Sequence, residues 1–304
     1  MGTPSEPRRD TTPPRARRGG RLPRRAATAR RTFTSTLKAL DELAAAGAKV
    51  SLRVDDLDRG TPVVVGDDFV TLPVAGLGVV PLLVEVAAQI DAGAVDALEI
   101  VDRDAVGRVE VGGLWQHLKA PALPLADLAV MAAAAGDAMA ANGLIARVGL
   151  PAVRDRIEQL GLQRSALLDG FRDVRGPDDA PHVALATARE LATLFAALVN
   201  SEVVAPAVSA QVAEWLSLNH DLSLVASATG LDPFAHFNDR HGLLFINKTG
   251  RDEGVRAEAG VIAGPRAGLA YALIVCFDDL SIMHRLRAHD AFRTLGVDLM
   301  EYVF

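Results

Sequence analysis

Segments that alternate apolar and polar residues sit at both ends of this chain, and a long stretch with helical spacing separates them. Near the start, Val50-Ser51-Leu52-Arg53-Val54 has the period of a half-buried strand, and Pro62–Val65 reads as a second short strand across an Asp56–Gly60 turn. Near the end, Leu243–Lys248, Val255–Ala263 and Leu269–Phe277 are strand-like runs divided by Gly or Pro turns. Helices close both ends. Thr36–Ala46 carries Leu37, Leu40 and Leu43 at threefold spacing before Gly47, and Ser281–Tyr302 turns Leu286, Phe292, Leu295 and Leu299 inward. The middle reads as helices over Gly78–Ala92, Leu125–Val148, Ala152–Leu160 and Thr187–Asn200, the last with Leu191, Leu194, Phe195, Leu198 and Val199 on one buried face. Pro81 is tolerated because it falls in a first turn. This order predicts a mixed α/β (α+β) fold: one antiparallel sheet formed by N- and C-terminal strands, flanked by terminal helices, with an inserted all-helical domain. The sheet domain is expected over residues 32–75 and 236–304, and the helical domain over 76–235. No internal repeat is seen.

Half of the 304 residues are apolar, enough for a sizeable core. The single cysteine, Cys276, excludes an intramolecular disulfide and lies in an apolar run that reads as a buried strand. His236 and His241 lack further partners at ligand spacing, so no metal site is expected, nor any cofactor. Charge is uneven: residues 1–31 hold ten Arg against Glu6 and Asp10, a net of +8, and the whole chain is −6, which leaves −14 for residues 32–304. The Arg/Pro-rich segment is too poor in large apolar residues to bury surface and is expected to be a disordered tail. It reads as a solvated extension or as a contact for nucleic acid or anionic lipid. Arg30-Arg31-Thr32-Phe33 resembles a twin-arginine export signal, but Lys38, Asp41 and Glu42 interrupt the apolar run that export needs. A cytoplasmic location is therefore expected. No run of about 20 apolar residues occurs, so no transmembrane helix is expected.

Four strings in this order carry a resemblance: Gly112-Gly113-Leu114-Trp115-Gln116-His117-Leu118, the Leu125–Gly149 stretch, Thr187-Ala-Arg-Glu-Leu191, and Lys248-Thr249-Gly250. Together they make residues 35–304 similar to the class A β-lactamase-like and penicillin-binding-protein-like serine hydrolases. In that family a Ser-x-x-Lys motif opens the first long buried helix, placing hydroxyl and amine on one helical face so that the alkoxide can attack a carbonyl. The matching string here is Val74-Ala75-Gly76-Leu77-Gly78-Val79, with Gly76 in the serine's place and Val79 in the lysine's. The family's Ser-Asp-Asn falls on Gly136-Asp137-Ala138, where only the Asp is kept. Lys248, Thr249 and Gly250 match the third motif in full, and the resemblance implies that Lys248 holds a ligand carboxylate while Thr249 hydrogen-bonds it. The family's hydrolytic Glu-x-x-x-Asn has no counterpart: residues 165–186 contain neither Glu nor Asn, only Asp169, Asp173, Asp178 and Asp179. Ser35-Thr36-Leu37-Lys38 does read Ser-x-x-Lys, but it precedes the first strand, and Ser35 is expected to be a helix cap.

Each retained residue also has a plainer reading. Lys248-Thr249-Gly250 fits strand and turn geometry as well as ligand binding. Asp137 fits backbone hydrogen bonding where two helices meet, and Trp115 and His117 fit packing beside the cleft. Three functions compete: a non-catalytic relative that binds a carboxylate-bearing small molecule, a peptide or a partner; an active β-lactamase-class hydrolase of cyclic amides in which Thr249 or another hydroxyl attacks with Lys248 as base; and a nucleic-acid binder acting through the Arg tail. The acidic folded part disfavours the last. The first is the expectation carried forward.

Overall fold

The structure, a computed structural model, describes residues 33–110, 112–236 and 242–304. The expectations for the Arg-rich tail, the Arg30-Arg31 pair and His241 lie outside the described residues.

The chain opens with α1 (Thr34–Ala45), which buries Leu40 and Leu43 but leaves Leu37 41% exposed. Ser35 is not its cap: the helix is entered through Phe33 with no side-chain cap, and Ser35 stands exposed in the first turn. The other end of the chain fixes this helix instead, because the Thr36 backbone N–H and hydroxyl both donate to Asp298, at 3.1 and 2.6 Å. A hairpin follows, β1 (Lys49–Asp56) and β2 (Thr61–Gly66), then a short β3 (Leu72–Pro73). A 3-10 turn over Ala75–Gly78 leads into α2 (Val79–Asp91), buried over most of its length.

Past β4 (Ile100–Asp102) and β5 (Ala122–Pro124), the largely helical stretch expected over Leu125–Val148 is two helices that meet at Asp137, as the motif there implies. The first piece, α3 (Leu125–Val130), widens into a π-turn over Met131–Ala135 and stops at Gly136, which is left-handed at φ 63°. The second, α4 (Ala138–Val148), starts on the Asp137 cap. Alanines run through both sides of the break, so the apolar pattern alone hides it. Next come α5 (Leu150–Gln159), β6 (Ala166–Leu167), β7 (Ala184–Ala186) and α6 (Ala188–Val199). A helix that the sequence reading did not place, α7 (Pro206–Ser217), begins with Pro206 in its first turn. The inserted region also contains short strands: β4 pairs with β5, and β6 and β7 join β3, from before the insertion, in the order β3-β7-β6. The chain ends with β8 (Leu244–Asp252), β9 (Val255–Ala263), β10 (Gly268–Cys276) and α8 (Ile282–Val303). Leu286 is half exposed, contrary to expectation, because α8 buries its inward stripe only from Ala288 onward.

The main sheet is antiparallel in the order β2-β1-β10-β9-β8, so strands from both ends of the chain meet where β1 pairs with β10. Its two faces differ in side-chain size. On β10, Leu269, Tyr271, Leu273 and Val275 point into a core shared with α1 and α8. Ala270, Ala272 and Ile274 alternate with them and, with Ala257 and Ala259 of β9, face the helical layer. The small side chains let α6 lie close on that face. Leu222, Leu224, Val225 and Ala226 pack with the terminal helices, not with the helices that precede them in sequence. Cys276 reaches Pro73 O at 3.7 Å, and burial pushes its thiol up to about 12, so it is held as an inert neutral group.

Candidate functional site

The site forms where the head of α2, the Gly136–Ala138 turn and the edge strand β8 converge on one cleft of about 370 Å3. The approach of α2 to β8 is backbone against backbone. A methyl group at Gly250 would run into the Val74 carbonyl, so only glycine serves there. A methyl at Gly76 would lie 3.1 Å from Thr249 O and 3.7 Å from the Gly250 Cα. Ala75, the residue before, is held at φ 47°, a left-handed conformation unfavourable for a residue with a Cβ. Gly76 and Val79 both line the cleft, and Val79 is buried.

Opposite them, Gly136 and Ala138 flank Asp137, which is fully buried. Its carboxylate accepts from three backbone N–H groups: Ala140 at 2.9 Å, Leu114 at 2.6 Å and Trp115 at 2.8 Å. One bond caps α4, and the other two fasten the Gly112–Trp115 loop. Gly113 sits at φ 131° with the carboxylate only 2.6 Å from where a Cβ would be, which accounts for the Gly-Gly pair in that loop. Trp115 is buried in the helical core, not beside the cleft, and His117 is exposed away from it.

Lys248 comes from the middle of β8, and the strand continues through Gly250 to Asp252 where a turn was expected. Its Nζ is buried and donates to the carbonyls of Ala132 and Ala133, at 3.0 and 2.8 Å, in the π-turn. The helix ends at Gly136, so those carbonyls of its last turn are free to accept. Burial pulls the ammonium down to about 8, against the opposing charge of Asp221. A side chain at Gly136 would begin 3.7 Å from Nζ, so there is room beside the amine.

Pleating separates Thr249 from Lys248. Lys248 follows the parity of Ile246, which packs in the helical core, whereas Thr249 shares the face of Asn247 and of Glu258, its cross-strand partner. The Thr249 hydroxyl donates to Asp221 at 2.6 Å, not toward the amine. Asp221, which the sequence reading missed, also accepts from the Ser223 backbone N–H at 3.2 Å, the Ser223 hydroxyl at 2.7 Å and Arg251 at 2.8 Å. Burial pushes its carboxyl up, but the Thr249 and Ser223 hydrogen bonds and the Arg251 charge outweigh that and hold it below its ordinary range. The loop around Asp221 has no apolar period; its only signal is an Asp two residues before a Ser, the pattern of an Asx turn.

The acidic loop closes the far wall. Asp169 accepts from Gly170 N and binds Arg172 and Arg175, and the hydrogen bond from Arg172 is the main reason its carboxyl stays below the usual range. Asp173 accepts from Glu110 N, Asp179 accepts from Gly176 N, and Asp178 is exposed. Asn142 of α4 clamps the loop by exchanging two hydrogen bonds with the Phe171 backbone, each 2.8 Å. Neither Asn142 nor Arg251 was singled out from sequence. Among the described residues, no group of three or more His, Cys, Asp and Glu side chains is placed to hold a metal, and no helix is long and apolar enough to cross a membrane.

The profile of the β-lactamase enzyme family matches residues 32–303. Among solved structures, a β-lactamase from Sphaerobacter thermophilus DSM 20745 superposes with a TM-score of 0.76 at 22% identity, covering 88% of this chain and 96% of that one. The structure of PBP-A gives 0.73 at 18% identity over 88% and 94%. A β-lactamase from Xanthomonas campestris pv. campestris str. ATCC 33913 gives 0.72 at 16% identity over 90% and 99%. A mutant of PBP-A was solved as an acyl-enzyme complex with penicillin G. No curated protein matches the chain.

Proposed function

Since the chain belongs to the β-lactamase enzyme family, we propose that it is a non-catalytic member that keeps the cleft as a binding site for a small molecule or a peptide segment. One observation carries this reading. At the head of α2 the cleft is lined by Gly76 and Val79, and the one lysine that reaches it, Lys248, donates to main-chain carbonyls. A covalent route needs a nucleophile and a base within hydrogen-bond reach of each other. Glycine has no nucleophile and valine moves no proton. The Thr249 hydroxyl donates to the Asp221 carboxylate, away from the Lys248 amine. That carboxylate is a proton acceptor in principle, but it is already held by Ser223 and Arg251. Nucleophile and base act as a unit, so losing both leaves negligible turnover. A cytoplasmic location fits this reading, because cell-wall and β-lactam chemistry lies outside.

The test is incubation of the full chain with a reactive penicillin probe, read by intact-mass spectrometry, alongside hydrolysis of a chromogenic cephalosporin. Neither an adduct nor turnover above buffer is expected; either one ends the non-catalytic reading, and loss of that activity in Lys248→Ala would then assign it to this site. The double variant Gly76→Ser/Val79→Lys is expected to acquire the adduct but to release it slowly, because Asp169, Asp173 and Asp179 are all engaged in the loop.

A further inference from the structure

Of the two donors that the resemblance assigns to a ligand carboxylate, Thr249 is taken by a carboxylate of the chain itself and Lys248 is turned to main-chain carbonyls. Thr249 has a single hydroxyl proton, and it goes to Asp221 Oδ2. Arg251 and both donors of Ser223 go to Oδ1. Lys248 has two of its three protons on main-chain carbonyls. The two other cleft cations, Arg172 and Arg175, are bound to Asp169. A second carboxylate entering this corner would lie beside Asp221, and like charges placed side by side oppose binding. The Asp221 side chain is 29% exposed, and its Oδ2, which accepts only from Thr249, keeps room for a donor arriving from the cleft.

We propose that Asp221 is the specificity-determining residue of the cleft: it fills the anion subsite from within, so the cleft turns carboxylates away and takes a ligand that offers amide or amine N–H groups in their place. This rests on the reading of the cleft as a binding site, and it replaces the expectation of a carboxylate-bearing ligand. The specificity comes from a repulsive element built into the site.

The experiment compares one molecule in two charge states, benzylpenicillin and its methyl ester, titrated by isothermal titration calorimetry into the full chain and into Asp221→Asn and Asp221→Ala. The Asn variant keeps the side-chain shape, so it decides the matter if the Ala variant unfolds. In the native chain the neutral ester should bind at least about tenfold tighter than the free acid, and both variants should reverse that order. Equal binding of acid and ester by the native chain, or the same ratio in the variants, overturns the role of Asp221 while leaving the cleft a binding site. Binding of neither probe to any of the three proteins overturns both. Intact mass recorded on the same samples reads the non-catalytic proposal separately, since an adduct would strike that reading whatever the ratio.

Discussion

Asp137 shows how a residue can be kept for reasons of architecture. Its carboxylate is the only acceptor for the three backbone N–H groups that join α4 to the Gly112–Trp115 loop. Asp137→Ala should lower stability by about 2–4 kcal/mol in chemical denaturation, from loss of the cap and from two further donors left without this partner, the buried Trp115 N–H and the part-buried Leu114 N–H. Lys248 makes the opposite point, since main-chain carbonyls hold its charge in place whatever side chains stand at 136 and 138. Its folded pKa of about 8 lies below its ordinary 10.5, so the unfolded chain binds the extra proton between those values and stability rises with pH across that window. In Lys248→Met that rise should disappear, as urea midpoints measured from pH 7.5 to 10.5 would show. The sequence pointed to Asp137 and Lys248 through their motifs. It could not point to Asp221, whose role arises only when the 219–223 loop folds over β8.

At the scale of elements, small residues decide how closely neighbours approach. Gly296 lies within α8, where alanine would ordinarily favour the helix by about 1 kcal/mol. A methyl there would run into the Val225 carbonyl of the adjoining turn. Gly296→Ala should therefore destabilise the protein by about 1–3 kcal/mol, the cost of overpacking a filled contact, with a lowered thermal midpoint as the readout. Long apolar periods made α2, α6 and the three C-terminal strands readable from sequence, with β9 placed over Val255–Ala263 as observed. The apolar pattern did not mark the break at Gly136, because alanine suits either side of it; only the motif placed at Gly136-Asp137-Ala138 pointed to two helices meeting there. The start of α7 was hidden because Ser209 and Trp215 are both buried in a helix of mixed character. Ser35 misled because a hydroxyl near a helix start resembles a cap, when Thr36 next to it makes the buried bond.

Across the whole molecule, one buried acid links the sheet to the cleft. Glu258 accepts from Tyr271 on β10 at 2.7 Å, from Asn247 on β8 at 2.8 Å and from Val225 N at 2.7 Å, and Asn247 in turn accepts from Asn219 at 2.8 Å beside the Asp221 loop. Burial pushes Glu258 up to about 7 from its ordinary 4.5, although all three hydrogen bonds favour its charged form. The folded chain then binds the extra proton between those values, so stability falls as pH rises from 4.5 to 7. Glu258→Gln should flatten that fall, seen as denaturant midpoints that no longer drift across the interval. The sheet itself has a temporal consequence. Its second strand in space, β1, waits for β10, which lies some 220 positions later in the register Lys49↔Cys276. A ribosome must therefore emit nearly the entire polypeptide before the amino-terminal hairpin finds its neighbour, leaving that hairpin's greasy flank bare throughout translation. Such a nascent chain is a natural client for chaperones.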